Sequence, residues 1–221
     1  MNRNIAIDGP AGAGKSTIAK LVAKQKELIY VDTGAMYRAM GIYYNRLGID
    51  PSDEAAVAEH IGGAEVSIDY QDGAQQVILN GENITSLLRT EEAGKTASVV
   101  SKHGPVRERM VELQQKLARE KAVVMDGRDI GTVVLPDALL KIYLTASVEV
   151  RAKRRYRELL EKGESCDLAE IARDIAARDH QDMTREISPL RQAEDAVLLN
   201  SSDMTIDEVV GAILSLYEER L

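Results

Sequence analysis

The sequence predicts an α/β fold in which a parallel sheet carries helices on both faces. Short, almost wholly apolar runs alternate with longer segments of helical spacing, the pattern of strands buried on both sides. The first run ends in a glycine-rich turn that opens a helix. Charged residues gather just past the ends of later runs, where an open parallel sheet presents its crevice.

Residues 4–8 (NIAID) form the first strand, ended by Gly9-Pro10. Residues 15–26 place Ile18, Leu21 and Val22 on one helical face. Residues 28–31 make a second strand, and 35–47 a helix that stops near Gly48 and Pro51. Residues 65–85 break the pattern. VSIDY and QQVILN alternate and are joined through Gln71-Asp72-Gly73, and Asp-Gly is a hairpin signal. This stretch reads as a small β insertion outside the parallel sheet. Helices follow over 91–101 and 105–120, the second opening on a proline suited to a first turn. AVVMD (122–126) and LLKIYL (139–144) are the third and fourth strands. A charged helix over 148–161 ends near Gly163, and a helix over 168–179 has Asp167 and Glu170 at capping-box spacing. AVLLN (196–200) is the fifth strand, and Thr205 with Glu208 opens a last helix running to about Arg220.

With 221 residues the chain suits one large α/β domain with small insertions. Tyr supplies all eight aromatics, so the core is built from Ile, Leu, Val, Met and Ala. Scarce aromatics argue against a stacking platform for single-stranded nucleic acid. A net charge of -8 argues against a broad basic surface for duplexes, yet leaves room for a few arginines converging on a small anion. One cysteine, Cys166, excludes an internal disulfide and a multi-cysteine metal framework. No window approaches the roughly 20 apolar residues of a membrane span. The expectation is a cytoplasmic protein with neither nucleic acid nor membrane as partner.

Gly9-Pro10-Ala11-Gly12-Ala13-Gly14-Lys15-Ser16-Thr17 fits the P-loop pattern in its required setting, between a buried strand and an amphipathic helix. Gly12 and Gly14 let the backbone turn without a Cβ in the way of a phosphate. Successive N–H groups and the helix start then favour an anion. Lys15 can reach the outer phosphates, the Ser16 hydroxyl can bind Mg²⁺, and Thr17 can support an inner phosphate. Asp8 reads either as a cap on the turn or as a group that positions a nucleophile or metal-bound water. The loop is shared by kinases, GTPases and ATPase modules. No Asn-Lys-x-Asp segment for guanine occurs.

Arginines supply the second signal. Thr33 and Arg38 follow the second strand, and either line the crevice or belong to an ordinary capped helix with a solvated arginine. Asp126-Gly127-Arg128-Asp129 follows the third strand, where Arg128 could clamp a phosphate and Asp129 accept from an amine or hydroxyl. Arg151, Lys153, Arg154, Arg155 and Arg157 crowd one helix, with Arg151 facing Arg155, and Arg154 placed to pair with Glu158. Beside a phosphate loop they read as a lid laying arginines on a transferring phosphoryl group. From spacing alone, Arg178, Asp182 and Arg185 read as a surface ion-pair chain.

The stretches IAIDGPAGAGKST (5–17), VDTGAMYRAM (31–40), LLRTEEAGKTASVVS (87–101), VMDGRDIGTVVLPDALLKIYLTAS (124–147) and ARDHQDMTREISPL (177–190) together resemble the bacterial cytidylate kinase family over almost the whole chain. The resemblance implies a three-layer P-loop NTPase fold with a five-stranded parallel sheet. It implies a core of about 1–62, 87–147 and 186–221, a monophosphate-binding insertion of about 63–86, and a helical lid of about 148–185. It further implies ATP-dependent, Mg²⁺-assisted phosphorylation of CMP or dCMP by a monomer. Arg38, Arg128 and Arg185 would hold the acceptor phosphate. Ser98, Arg107 and Asp129 would read cytosine, Arg178 and Asp182 would hold the ribose, and Arg154 and Arg155 would serve the lid. Thr33 stands where some members carry Ser, so the hydroxyl is kept. Two other readings compete: a P-loop kinase for another small acceptor such as AMP, UMP or shikimate, and a non-catalytic ATP-binding module.

Overall fold

The computed structural model describes residues 3–221. In chain order the elements are β1 (Ile5–Asp8), α1 (Lys15–Lys26), β2 (Ile29–Asp32), α2 (Thr33–Leu47), α3 (Glu54–His60), β3 (Val66–Gln71), β4 (Ala74–Leu79) and β5 (Glu82–Asn83). Then come α4 (Glu91–Val100), α5 (Gly104–Glu120), β6 (Val123–Gly127), β7 (Leu140–Thr145), α6 (Val148–Glu161), α7 (Leu168–Thr184), β8 (Val197–Asn200) and α8 (Ile206–Glu218). The chain divides into two compact units, one holding the chain up to Tyr30 and again Lys121–Leu221, the other Val31–Glu120.

The main sheet has the order β2-β6-β1-β7-β8. Central β1 pairs in parallel with β6, Ile5 opposite Val124, and with β7, Ile5 opposite Leu140. β8 adds in parallel at the edge, Val197 opposite Ile142. Every residue of β1 is buried, as the unbroken apolar run requires. Ile5 and Ile7 join Ile18 and Val22 of α1, Ile142 and Leu144 of β7, and Val210 and Ile213 of α8 in one core. Each such side chain contributes roughly 1.5–3 kcal/mol by leaving water. The α8 start is a complete capping box between Thr205 and Glu208. At its far end the Tyr217 hydroxyl donates to the Arg3 carbonyl at 3.1 Å.

In the other unit α2 packs on α4. Gly41 makes this possible, because a Cβ there would lie 3.0 Å from Thr96 Cγ2. Asp32 caps α2 by accepting from the Ala35 N–H at 2.9 Å. The β insertion is a separate antiparallel sheet, β3-β4-β5. Its hairpin turns through Asp72 (φ 52°) and Gly73 (φ 75°), with Gln71 opposite Ala74. Two successive positive φ angles are what a two-residue hairpin turn of right-handed twist needs.

Several short elements escape the sequence reading, among them 3₁₀ turns over Ile61–Gly63 and Thr85–Arg89. α3 and β5 are too short for periodicity to show, and a π-type turn over Ile130–Val134 follows β6. α7 also runs to Thr184, past the expected end at 179. Its buried face carries Ile175, Asp179 and Asp182, so aspartates occupy the positions where an apolar stripe would reveal a helix.

Candidate active site

The phosphate loop rises from β1 over β7. Gly9 has φ 153°, and a Cβ on it would stand 1.9 Å from the Leu144 carbonyl oxygen, a backbone atom that cannot step aside. Gly9→Ala is therefore expected to lower stability by about 3 kcal/mol or more, read as a lower denaturant midpoint with unchanged slope. Gly12 (φ 73°) and Gly14 (φ 87°) complete the turn. Gly14 is the N-cap of α1 and no side chain caps this helix, so its first-turn N–H groups are open to an anion. Lys15 is only 6% exposed, and its Nζ donates to the Pro10 carbonyl at 2.8 Å. Burial first, and the Arg128 charge second, lower the Lys15 ammonium well below the usual lysine range.

Ser16 Oγ donates to Asp126 Oδ2 at 2.9 Å, and the Tyr30 hydroxyl donates to Asp126 Oδ1 at 2.8 Å. Sequence reasoning placed Asp126 in the charged cluster after the third strand without giving it a role, and passed over Tyr30. A hydroxyl and a carboxylate side by side are hard oxygen donors of the kind Mg²⁺ takes together with phosphate oxygens. Among the described residues, the Asp8 carboxylate bonds neither the turn that follows it nor a group of the loop, but a remote backbone turn. Its Oδ1 accepts from the Ile130 N–H at 2.8 Å and its Oδ2 from the Gly131 N–H at 2.7 Å, which pins the π-type turn. Burial raises this carboxyl to about 6, against the lowering pull of those two N–H groups.

Arg128, at the end of β6, donates through Nε to Asp182 Oδ2 at 2.7 Å. Burial raises the Asp182 carboxyl, but Arg128, with Arg178 and Arg185 behind it, wins and holds it below the ordinary carboxylate range. Arg185 Nη2 stands 3.8 Å from Asp129 Oδ1, and Arg185 Nε donates to the Ser188 carbonyl at 2.7 Å. Asp129 and Asp182 are both buried. The surface ion-pair chain expected from the spacing of Arg178, Asp182 and Arg185 is therefore corrected: Asp182 is buried and pairs with a residue remote in sequence. Spacing along one helix cannot reveal a partner on a remote segment of the chain.

Lys15, Ser16, Asp126, Arg128, Asp129, Asp182 and Arg185 all lie in one unit, where the charges of Arg128, Asp126 and Asp182 act on Lys15 and that of Arg185 acts on Asp182. Arg178 is exposed at the surface of α7 but close enough to act on Asp182. The charged helix α6 behaves differently from its sequence. Arg154 donates to the Ser201 carbonyl at 2.7 Å, and Arg155 pairs with Glu158 at 3.0 Å. The expected Arg154–Glu158 pair is not formed, because Arg155 and Lys162 take Glu158 instead. Arg151 does not face Arg155 as a like charge; it is buried and paired with Asp179 at 2.6 Å.

In the other unit, Thr33 is buried in the first turn of α2, and the half-buried Arg38 pairs with Asp32, the α2 cap, at 2.8 Å. Ser98 is half-buried on α4. Arg107 is buried on α5, donates to the Ser101 carbonyl at 3.0 Å and sits 5.5 Å from the Tyr37 ring centre.

A parallel sheet whose central strand enters a helix through a glycine turn with a buried lysine, followed by a serine bonded to a neighbouring strand's aspartate, defines a protein of the P-loop NTPase class. Comparison with known proteins narrows this: the family model for cytidylate kinase matches residues 5–219. The chain belongs to the cytidylate kinase family. It is 51% identical over 214 residues to a cytidylate kinase of Caldicellulosiruptor bescii, covering 97% of this chain and 95% of that one. It is 48% identical over 217 residues to one of Bacillus velezensis, covering 98% and 97%. Among solved structures, an uncharacterized protein from Eubacterium ventriosum matches with a TM-score of 0.54 at 12% identity, covering 98% of each chain; this likeness concerns the fold alone.

Proposed function

We propose that the chain transfers the γ-phosphoryl group of ATP to CMP or dCMP, giving ADP and CDP or dCDP. Family membership supplies the substrates, and one observation carries the chemistry. Lys15 is buried beside the start of α1, whose first-turn N–H groups no side chain caps, and burial with the nearby Arg128 charge disfavours its ammonium. A buried ammonium next to open helix-start N–H groups is favoured by an anion, so the site suits the phosphate groups of a nucleotide.

In this reading Gly9, Pro10, Ala11, Gly12, Ala13, Gly14, Lys15, Ser16 and Thr17 take the ATP phosphates. Arg38, Arg128 and Arg185 take the acceptor phosphate, with Thr33 nearby in sequence. Ser98, Arg107 and Asp129 read the base, Arg178 and Asp182 the ribose, and Arg154 and Arg155 act from the lid. Residues 63–86 serve monophosphate binding and 148–185 the lid, around a core of 1–62, 87–147 and 186–221. Ser16 Oγ and the Asp126 carboxylate would hold Mg²⁺, which supplies charge neutralisation on the transferred group. The acceptor is a phosphate oxygen, already anionic at neutral pH, so no strong base is needed. The residues act by alignment and by neutralising charge. Among the described residues no helix is long and apolar enough to cross a membrane. We place the enzyme in the cytoplasm as a monomer acting on small nucleotides.

The test is an acceptor panel of CMP, dCMP, UMP, AMP and GMP, each with ATP and Mg²⁺. CMP and dCMP should exceed AMP and GMP in kcat/KM by about a hundredfold or more, since a site built to hydrogen-bond one base rejects others strongly. Equal rates with AMP would move the chain to a different acceptor, and no ADP with any monophosphate would leave only an ATP-binding module.

A further inference from the structure

Arg151 and Asp179 have no part in the reading above, yet they make a buried ion pair that also engages backbone at Ala146 and Ala11. Arg151, on α6, is 4% exposed. Its Nε donates to the Ala146 carbonyl at 2.8 Å, its Nη1 donates to the Ala11 carbonyl at 2.8 Å, and its Nη2 lies 2.6 Å from Asp179 Oδ2. Asp179, on α7, accepts the Ala11 N–H through Oδ1 at 3.3 Å. One residue of the phosphate loop is thus gripped at both its polar backbone atoms by a single ion pair, whose members come from two helices.

A strut between α6 and α7 would not need the loop. Burying two charges is unfavourable unless their remaining hydrogen-bonding groups are satisfied, and here the loop backbone satisfies them. The loop itself has little intrinsic restraint, since Gly9, Gly12 and Gly14 all sit at positive φ. Lys15 restrains it through Pro10, a restraint that ends if the ammonium swings away from that carbonyl to a phosphate. The grip on Ala11 uses neither Lys15 nor the N–H groups at the start of α1, so it survives that release.

We propose that Arg151 and Asp179 are positioning residues for the donor triphosphate: they hold Ala11 so that the loop keeps its anion-binding arrangement when Lys15 leaves Pro10. The inference rests on reading the chain as an ATP-dependent kinase. Asp179→Asn keeps the shape and an acceptor for Ala11 but removes the charge facing Arg151. Arg151→Lys keeps a charge opposite Asp179, while a single ammonium cannot serve Ala146, Ala11 and Asp179 together.

In the full chain, each variant is compared with the parent for ATP affinity by calorimetry, for the KM values of ATP and CMP, and for thermal midpoint. ATP affinity and its KM should weaken by about tenfold or more, with KM for CMP within about threefold, because a misplaced loop costs alignment at one substrate only. A lower thermal midpoint with unchanged ATP affinity would make the pair a strut and overturn the proposal. Equal weakening of both nucleotides would overturn it as well. Should Asp179→Asn fail to fold, Arg151→Lys carries the test, since it leaves no carboxylate unpaired. Turnover of the unmodified chain in the same assay reports on the kinase reading separately, while ATP affinity reads the grip without requiring turnover.

Discussion

Lys15→Met is expected to lower kcat by about a thousandfold while the protein remains folded and becomes more stable, as loss of a charge aimed at the transferring group implies. The two effects share a cause. Lys15 is almost wholly withdrawn from water, and both its burial and the Arg128 charge disfavour the ammonium. In the empty protein that charge is a burden; against a triphosphate it becomes the main counter-charge. Methionine fills the same space without it. The sign with pH follows from the lowered pKa. The unfolded chain keeps the lysine proton up to about 10.4, and the folded chain gives it up earlier. Between those points the unfolded state binds more protons, so this group makes stability rise with pH. Denaturant midpoints measured from pH 6.5 to 10 should show that rise in the parent and a flatter profile in Lys15→Met. Near-normal turnover of the variant would sink the assignment of Lys15 to the transferred phosphoryl group.

The second large effect is expected of Arg128→Ala, in catalysis and in stability together. Its guanidinium is the acceptor-phosphate group of the proposed reaction, so kcat/KM for CMP should fall by about a thousandfold, whereas ATP affinity should change little. The loss also takes from Asp182, a buried carboxylate, the guanidinium that donates to it at 2.7 Å, and leaves it to the fields of Arg178 and Arg185. Breaking such a pair from one side costs about 3 kcal/mol, at the lower end of the buried range because Arg128 keeps some contact with water. The pH sign differs from that of Lys15. Asp182 has a lowered folded pKa, so its stabilising contribution is present above the unfolded value of about 3.9 and is lost as pH falls through the folded value. The deficit of Arg128→Ala should therefore be largest near neutrality and shrink in acid, and Asp182→Ala on top of it should restore part of the loss. If ATP affinity collapsed in parallel with CMP, Arg128 would belong to the loop and not to the acceptor.

These effects show how unevenly the site can be read from residues alone. The loop was plain because its geometry forbids most side chains: only glycine fits at Gly9 beneath the Leu144 carbonyl. The cluster from Asp126 to Asp129 stood out because charges at the end of a buried strand need partners. The partners did not stand out. Asp126 receives Ser16 and Tyr30, Arg128 receives Asp182, and Arg151 receives Asp179 and Ala11. Each of these pairs is long-range, and nothing in local spacing predicts it. The same blindness shortened α7, whose buried aspartates look like a solvated face until the cations they meet are known.

By itself, then, the sequence determined the backbone plan: which runs are strands, where glycine must bend the chain, and that a phosphate is the ligand such a bend accepts. Those features follow from sterics and burial, which act within a few residues and leave their mark on composition. Only the tertiary structure decided which charges are paired, which are buried, and that Arg151 grips the loop while Arg154 and Arg155 turn elsewhere. Charge pairing depends on distance in space through a medium of uneven polarity, and that distance is fixed only when strands and helices far apart in the chain have packed.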